Sequence, residues 1–114
     1  MSQKTSMIFI DDDPIFGELW LSSCPPSIDL TWISDPQQLL EADFIKNFHP
    51  STHFYVDCEL GEGPNGEEVC RSLASMGFSN LFIATCHNQD RFNKTPFLKG
   101  VRDKTPPWLD ETFP

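Results

Sequence analysis

Three carboxylates, one hydroxyl and one amine stand out for their types and their positions: Asp11, Asp12, Asp57, Thr85 and Lys104. Carboxylates drawn together repel; two unit charges ~4 Å apart cost about 4 kcal/mol at an effective dielectric near 20. Such a cluster is tolerable when a cation neutralises it or when one group takes a proton. Magnesium is the best match, being a hard octahedral ion held by one or two carboxylates together with water and phosphate oxygens. Asp57 then keeps an oxygen with which to attack phosphorus. The metal and the Lys104 ammonium place positive charge on the phosphoryl oxygens, and the Thr85 hydroxyl can donate to the same group.

These residues can meet only if the fold brings them to one rim. Met7–Ile10 is a short apolar run and reads as a buried strand ending at the acidic Asp11-Asp12-Asp13. Pro14 suits a first helical turn, Ile15, Phe16, Leu19 and Trp20 recur at helical spacing, and Cys24-Pro25-Pro26 stops the helix. Ile28–Ile33 is a second strand. Asp35-Pro36 caps a second helix with Leu39, Leu40, Phe44, Ile45 and Phe48 on its apolar face. His53–Val56 is a third strand closing on Asp57. Val69, Cys70, Leu73 and Met76 stripe a third helix ended by Gly77. Leu81–Ala84 is a fourth strand, and Phe97–Val101 is expected to be a fifth.

Alternating strands and helices imply parallel pairing through right-handed crossovers, with the functional crevice at the carboxyl ends of the strands. All five chemical residues fall at or just beyond such ends. Asn88–Lys94 leaves room for a short fourth helix only, and Pro106, Pro107 and Pro114 oppose a long fifth one.

Composition narrows the field. The 114 residues make one domain, and ten Phe and three Trp supply a packed core. Seventeen acidic against eight basic residues give a formal charge of -9, which repels nucleic-acid backbones and suits a basic protein partner. Cys24, Cys58, Cys70 and Cys86 show no zinc spacing and fit thiols in a reducing cytosol. No signal peptide and no membrane span is expected, so the expected location is cytoplasmic.

At Ile8-Phe9-Ile10-Asp11-Asp12-Asp13-Pro14, Phe54-Tyr55-Val56-Asp57, Leu60 through Gly66-Glu67-Glu68-Val69, Phe82-Ile83-Ala84-Thr85 and Asp103-Lys104-Thr105-Pro106, the chain resembles the receiver (response-regulator) family of two-component signalling. The resemblance covers roughly residues 7–107, leaving 108–114 as a tail. It implies a flavodoxin-like three-layer α/β domain with a five-stranded parallel sheet of order 2-1-3-4-5, a shortened fourth helix and a missing or atypical fifth. Asp57 would be phosphorylated by a histidine kinase or phosphotransfer protein. Asp11, Asp12, Asp57 and the backbone carbonyl of Glu59 would hold Mg2+, and Thr85 and Lys104 would hold the phosphoryl group. The domain would act as an interaction switch without its own output module, catalytic only on itself.

Two departures stand out. The family usually has proline directly after the lysine, where this chain has Thr105, and commonly an aromatic switch residue three positions before the lysine, where this chain has Val101. They favour, as alternative, a degenerate receiver serving as a phosphorylation-independent binding module. Without a fifth helix one sheet face would be open unless Trp108, Leu109 and Phe113 fold across it, which implies a homodimer or a docked neighbouring domain. A haloacid-dehalogenase-like phosphatase built on Asp57-Cys58-Glu59 is a third class, set against by the lack of a larger core or cap. His49, His53 and His87 lack metal-ligand spacing, Asp13 reads as a helix cap, and Lys99 competes with Lys104 for the amine role.

Overall fold

The computed structural model describes residues 4–39, 45–57, 65–84 and 96–109. Strand β1 (Thr5–Ile10) leads into helix α1 (Pro14–Ser23), followed by β2 (Ile28–Ile33), a short α2 (Pro36–Leu39), β3 (His53–Val56), α3 (Gly66–Ser75), β4 (Leu81–Ala84), β5 (Gly100–Arg102) and a 3₁₀ turn at Pro107–Leu109. All four strand pairings are parallel and the sheet order is β2-β1-β3-β4-β5, the order expected.

Period-two alternation splits the sheet residues between two apolar layers. Ile8, Ile10, Phe54, Val56, Leu81 and Ile83 face α3, meeting Val69, Cys70 and Leu73. Met7, Phe9, Tyr55 and Ala84 face α1 and close on Trp20. The rings of Phe9 and Trp20 are stacked with their centroids 3.9 Å apart.

Local chemistry fixes the helix ends. Asp13 caps α1 by accepting from Ile15 N at 3.0 Å, Asp35 accepts from Gln37 N, and Asn65 caps α3 by accepting from Glu68 N at 2.9 Å. After α3 the chain turns through Gly77 at φ 101°, with Gly77 N bonded to Ala74 O and Phe78 N to Leu73 O. That pair of bonds is the Schellman closure, and it seats Phe78 against Phe54.

β1 begins at Thr5, ahead of the expected Met7, and two further expectations change. β5 is Gly100–Arg102 and not Phe97–Val101: residues 96–97 form a turn, from which Phe97 and Leu98 pack onto the core without joining the ladder. The sheet face beside α1 is partly covered after β5 by Trp108, whose ring meets Trp20 edge-on at 5.3 Å, whereas Leu109 remains 60% exposed. The expected fourth helix and Phe113 lie outside the described residues, as do residues 40–44 of the second helix.

Candidate functional site

The carboxyl rim is built by register. Ile10 pairs with Val56, so the residues that follow them, Asp11 and Asp57, leave neighbouring strands side by side. Asp57 N donates to Ile10 O at 2.9 Å and Asp11 N to Ile33 O at 3.2 Å, which extends the ladders by one step and holds both backbones at the rim. Asp11 is fully buried, Asp57 nearly so, and Asp12 is exposed. One carboxylate oxygen from each of the three lies within 4.8 Å of the others.

Lys104 reaches this cluster from beyond β5. Its Nζ is 3.1 Å from Asp11 Oδ2 and 3.3 Å from Asp57 Oδ2. Burial opposes the ammonium charge, but hydrogen bonding to Asp11 and the fields of Asp57 and Asp11 outweigh it, and the Lys104 pKa is raised. Lys99, the competing amine, donates to Asn80 Oδ1 at 2.8 Å beside the start of β4, away from the acidic cluster.

The three carboxylates suit a small hard cation. Asp11 Oδ1 accepts from Asp13 N, whereas the buried Oδ2 is met only by the Lys104 charge among the described residues. Repulsion within each pair of such groups at this spacing is about 3–4 kcal/mol at an effective dielectric near 20, and the one Lys104 ammonium balances only one of the three negative charges. Exposed Asp12 leaves a solvent side for water ligands. Asp11, Asp12 and Asp57 could therefore hold magnesium. Thr85 and Glu59 lie outside the described residues, as does His87. Asp13 is the α1 cap, as expected, and His53 stands at the amino end of β3, far along the strand from Asp57.

Three aromatic residues that read in the sequence only as core material touch this site. The Trp32 indole N–H donates to the Asp11 backbone carbonyl at 2.9 Å. The Trp20 indole N–H donates to the Lys104 backbone carbonyl at 3.0 Å. The Phe16 ring carries the Lys104 ammonium 4.5 Å from its centroid. The one available signal was the Phe16/Trp20 spacing, four residues apart on α1 and therefore on one face.

No protein-family profile and no curated protein matches the chain. Solved structures do. The Legionella pneumophila response regulator LqsR superposes with a TM-score of 0.71 at 16% identity, over 94% of this chain and 40% of that one. A LuxR-family two-component response regulator from an Aurantimonas species gives 0.71 at 20% identity, over 90% and 76% of the two chains. The signal receiver domain of a NarL response regulator from Mycobacterium tuberculosis gives 0.69 at 19% identity, over 90% and 85%. This chain thus spans less than half of LqsR and most of the other two.

Proposed function

The chain has the flavodoxin-like fold of response-regulator receiver domains, and we propose that it works as one: a phosphoacceptor domain in a two-component system or phosphorelay, modified on Asp57. The observation that carries this is the convergence of Lys104 with buried Asp11 and Asp57 at a single rim of the sheet. An Asp57 carboxylate oxygen attacks the phosphorus of a phosphohistidine on a histidine kinase or phosphotransfer protein. The new P–O bond forms as the P–N bond breaks, and the electron pair returns to the donor imidazole, which takes a proton from water. Asp11, Asp12 and Asp57 would hold Mg2+, which when bound supplies positive charge to the phosphoryl oxygens. Lys104 holds a second cation against those oxygens. By resemblance, the Glu59 carbonyl completes the metal set and the Thr85 hydroxyl, next after the last residue of β4, donates to the phosphoryl group.

Modification would switch the affinity of the carboxyl rim for a protein partner in the cytoplasm. The domain catalyses only its own phosphorylation and dephosphorylation. Exposed Leu109 at the end of the covering turn supports the expected partner face, for a homodimer or a neighbouring domain; a monomer at high concentration by light scattering would remove the homodimer.

The test is incubation with a small acyl-phosphate donor and magnesium, read by intact mass, with beryllofluoride binding read separately. One added phosphoryl mass, lost in Asp57→Asn, is expected. No mass change and no beryllofluoride binding overturns the proposal. A second reading, a phosphorylation-independent binding module, is favoured by one feature: the position where the family places its switch aromatic holds Val101, half-buried against the α3-side core.

A further inference from the structure

Receiver-like sites need the lysine amine held at a fixed place over the acidic cluster, and Lys104 is poorly secured by its own segment. It follows a strand of only three residues and precedes Thr105. Thr105 N is tied back to Asp103 Oδ1 at 3.0 Å, a local turn that does not touch the lysine itself. What does touch it is helix α1. The Lys104 carbonyl accepts from the Trp20 indole, and the Lys104 ammonium lies over the Phe16 ring. One turn of helix therefore grips the residue at both ends.

Each contact is itself braced. Trp20 is fully buried, stacked on Phe9, tilted against Tyr55 and met edge-on by Trp108. Its N–H cannot swing to another acceptor without breaking this packing. Phe16 sits one turn earlier on the same face and reaches the crevice because α1 starts at Pro14, directly behind the acidic run. With the Lys104 side chain only 13% exposed, the ring face meets a largely desolvated ammonium, the setting in which cation–π attraction is strongest.

We infer that Phe16 and Trp20 are positioning residues for Lys104, acting as an aromatic clamp that fixes the ammonium toward Asp57. The inference rests on the phosphoacceptor reading for its purpose, but the clamp itself can be read without any phosphoryl chemistry. Neither residue touches the phosphoryl group; both act through the lysine.

The experiment uses the full chain. Its first arm is proton–carbon NMR of the lysine side chains. Over an aromatic face the Lys104 ε-methylene protons are shifted upfield, and Phe16→Leu returns them to ordinary lysine values while the other lysines stay put. An unshifted Lys104 in the parent protein overturns the clamp. The second arm measures magnesium alone and magnesium with beryllofluoride by calorimetry, for Phe16→Leu and for Trp20→Phe, which keeps the stack on Phe9 and removes the N–H. Beryllofluoride affinity is expected to fall about fivefold or more in each, and magnesium affinity to stay within about twofold. In a Lys104→Met background both substitutions should add nothing further to the beryllofluoride loss. Additive losses, or equal losses of magnesium affinity, overturn the clamp and leave a general packing role. Failure of beryllofluoride to bind the parent protein, together with no added phosphoryl mass, overturns the phosphoacceptor reading instead, and the Lys104 chemical shift still decides the clamp on its own.

Discussion

The Trp32 indole nitrogen stands 2.9 Å from the backbone carbonyl oxygen of Asp11, and the same indole lies against the Cα of Gly17. A side chain on the outer strand of the sheet thus steadies an acidic residue on the next strand, and it can do so because the helix beneath it carries no Cβ at that point. The relationship ties the stability of α1 on the sheet to the geometry of the site.

Gly17→Ala is expected to destabilise the fold. A Cβ there would fall 2.1 Å from the Trp32 ring, and the ring cannot yield without losing its bond to Asp11. Ala favours helices over Gly by up to ~1 kcal/mol, and overpacking costs ~1–3 kcal/mol, so the net loss should be about 1–2 kcal/mol. Urea unfolding with an unchanged slope checks this, and an unaltered or raised midpoint would show that Trp32 moves freely.

Gly77→Ala tests a different property of glycine. Nothing lies within 4 Å of a Cβ at Gly77, but its φ is 101°, a conformation that Ala adopts only under strain. The expected cost is about 1 kcal/mol, by the same measurement, and it comes from the backbone alone. A stabilised variant would mean that the Schellman closure is not maintained in solution.

On the proposed phosphoacceptor reading, Asp57→Asn abolishes phosphoryl transfer from an acyl-phosphate donor and weakens magnesium binding. It removes one charge from a set of three while leaving the shape of the side chain intact. The loss in metal affinity should be about 10–100-fold, the range that even outer-sphere partners of metal ligands command. Calorimetry with magnesium decides it; unchanged affinity would place the ion elsewhere.

Stability should decline in alkali in a manner traceable to Cys70. Burial, and then the nearby Glu67 charge, push this thiol from 9.0 up to about 12. A pKa raised by folding contributes stability in full below the unfolded value and loses it as pH climbs toward the folded value. The window is therefore about pH 9 to 12, at up to ~1.4 kcal/mol per pH unit. Cys70→Ala creates a cavity and lowers stability at neutral pH, but its decline across that window should be shallower. Parallel pH profiles for the two proteins would exclude the thiol as the cause.

Most of the scaffold was legible because its signals are local. β2, β3 and β4 fall on the expected residues, since each is a short apolar run between turn signals, and the caps Asp13, Asp35 and Gly77 act where their side chains or lack of one dictate. β5 was misplaced because apolar Phe97 and Leu98 serve packing from a turn, and hydrophobicity alone does not separate that from pairing. The acidic half of the site was readable through strand ends and register. Lys104 could be preferred to Lys99 but not proved from spacing; the structure separates them by putting Lys99 on Asn80. The roles of Phe16, Trp20 and Trp32 were not readable, because an indole N–H directed at a distant carbonyl, or a ring face set against a distant ammonium, leaves no periodic trace.

The indole hydrogens of all three tryptophans are engaged within one side of the molecule, on Lys104 O, Asp11 O and, for Trp108, Ser23 Oγ at 3.3 Å. Ultraviolet emission from this protein consequently carries a regional signature. It registers disturbance around the first helix and the acidic end of the sheet, and it is silent about the opposite edge, where His49, Asn80 and Lys99 lie without an indole among them. Optical denaturation curves on the unlabelled chain will thus weight the α1 side of the sheet, and a second probe on the α3 side tests whether they stand for the whole.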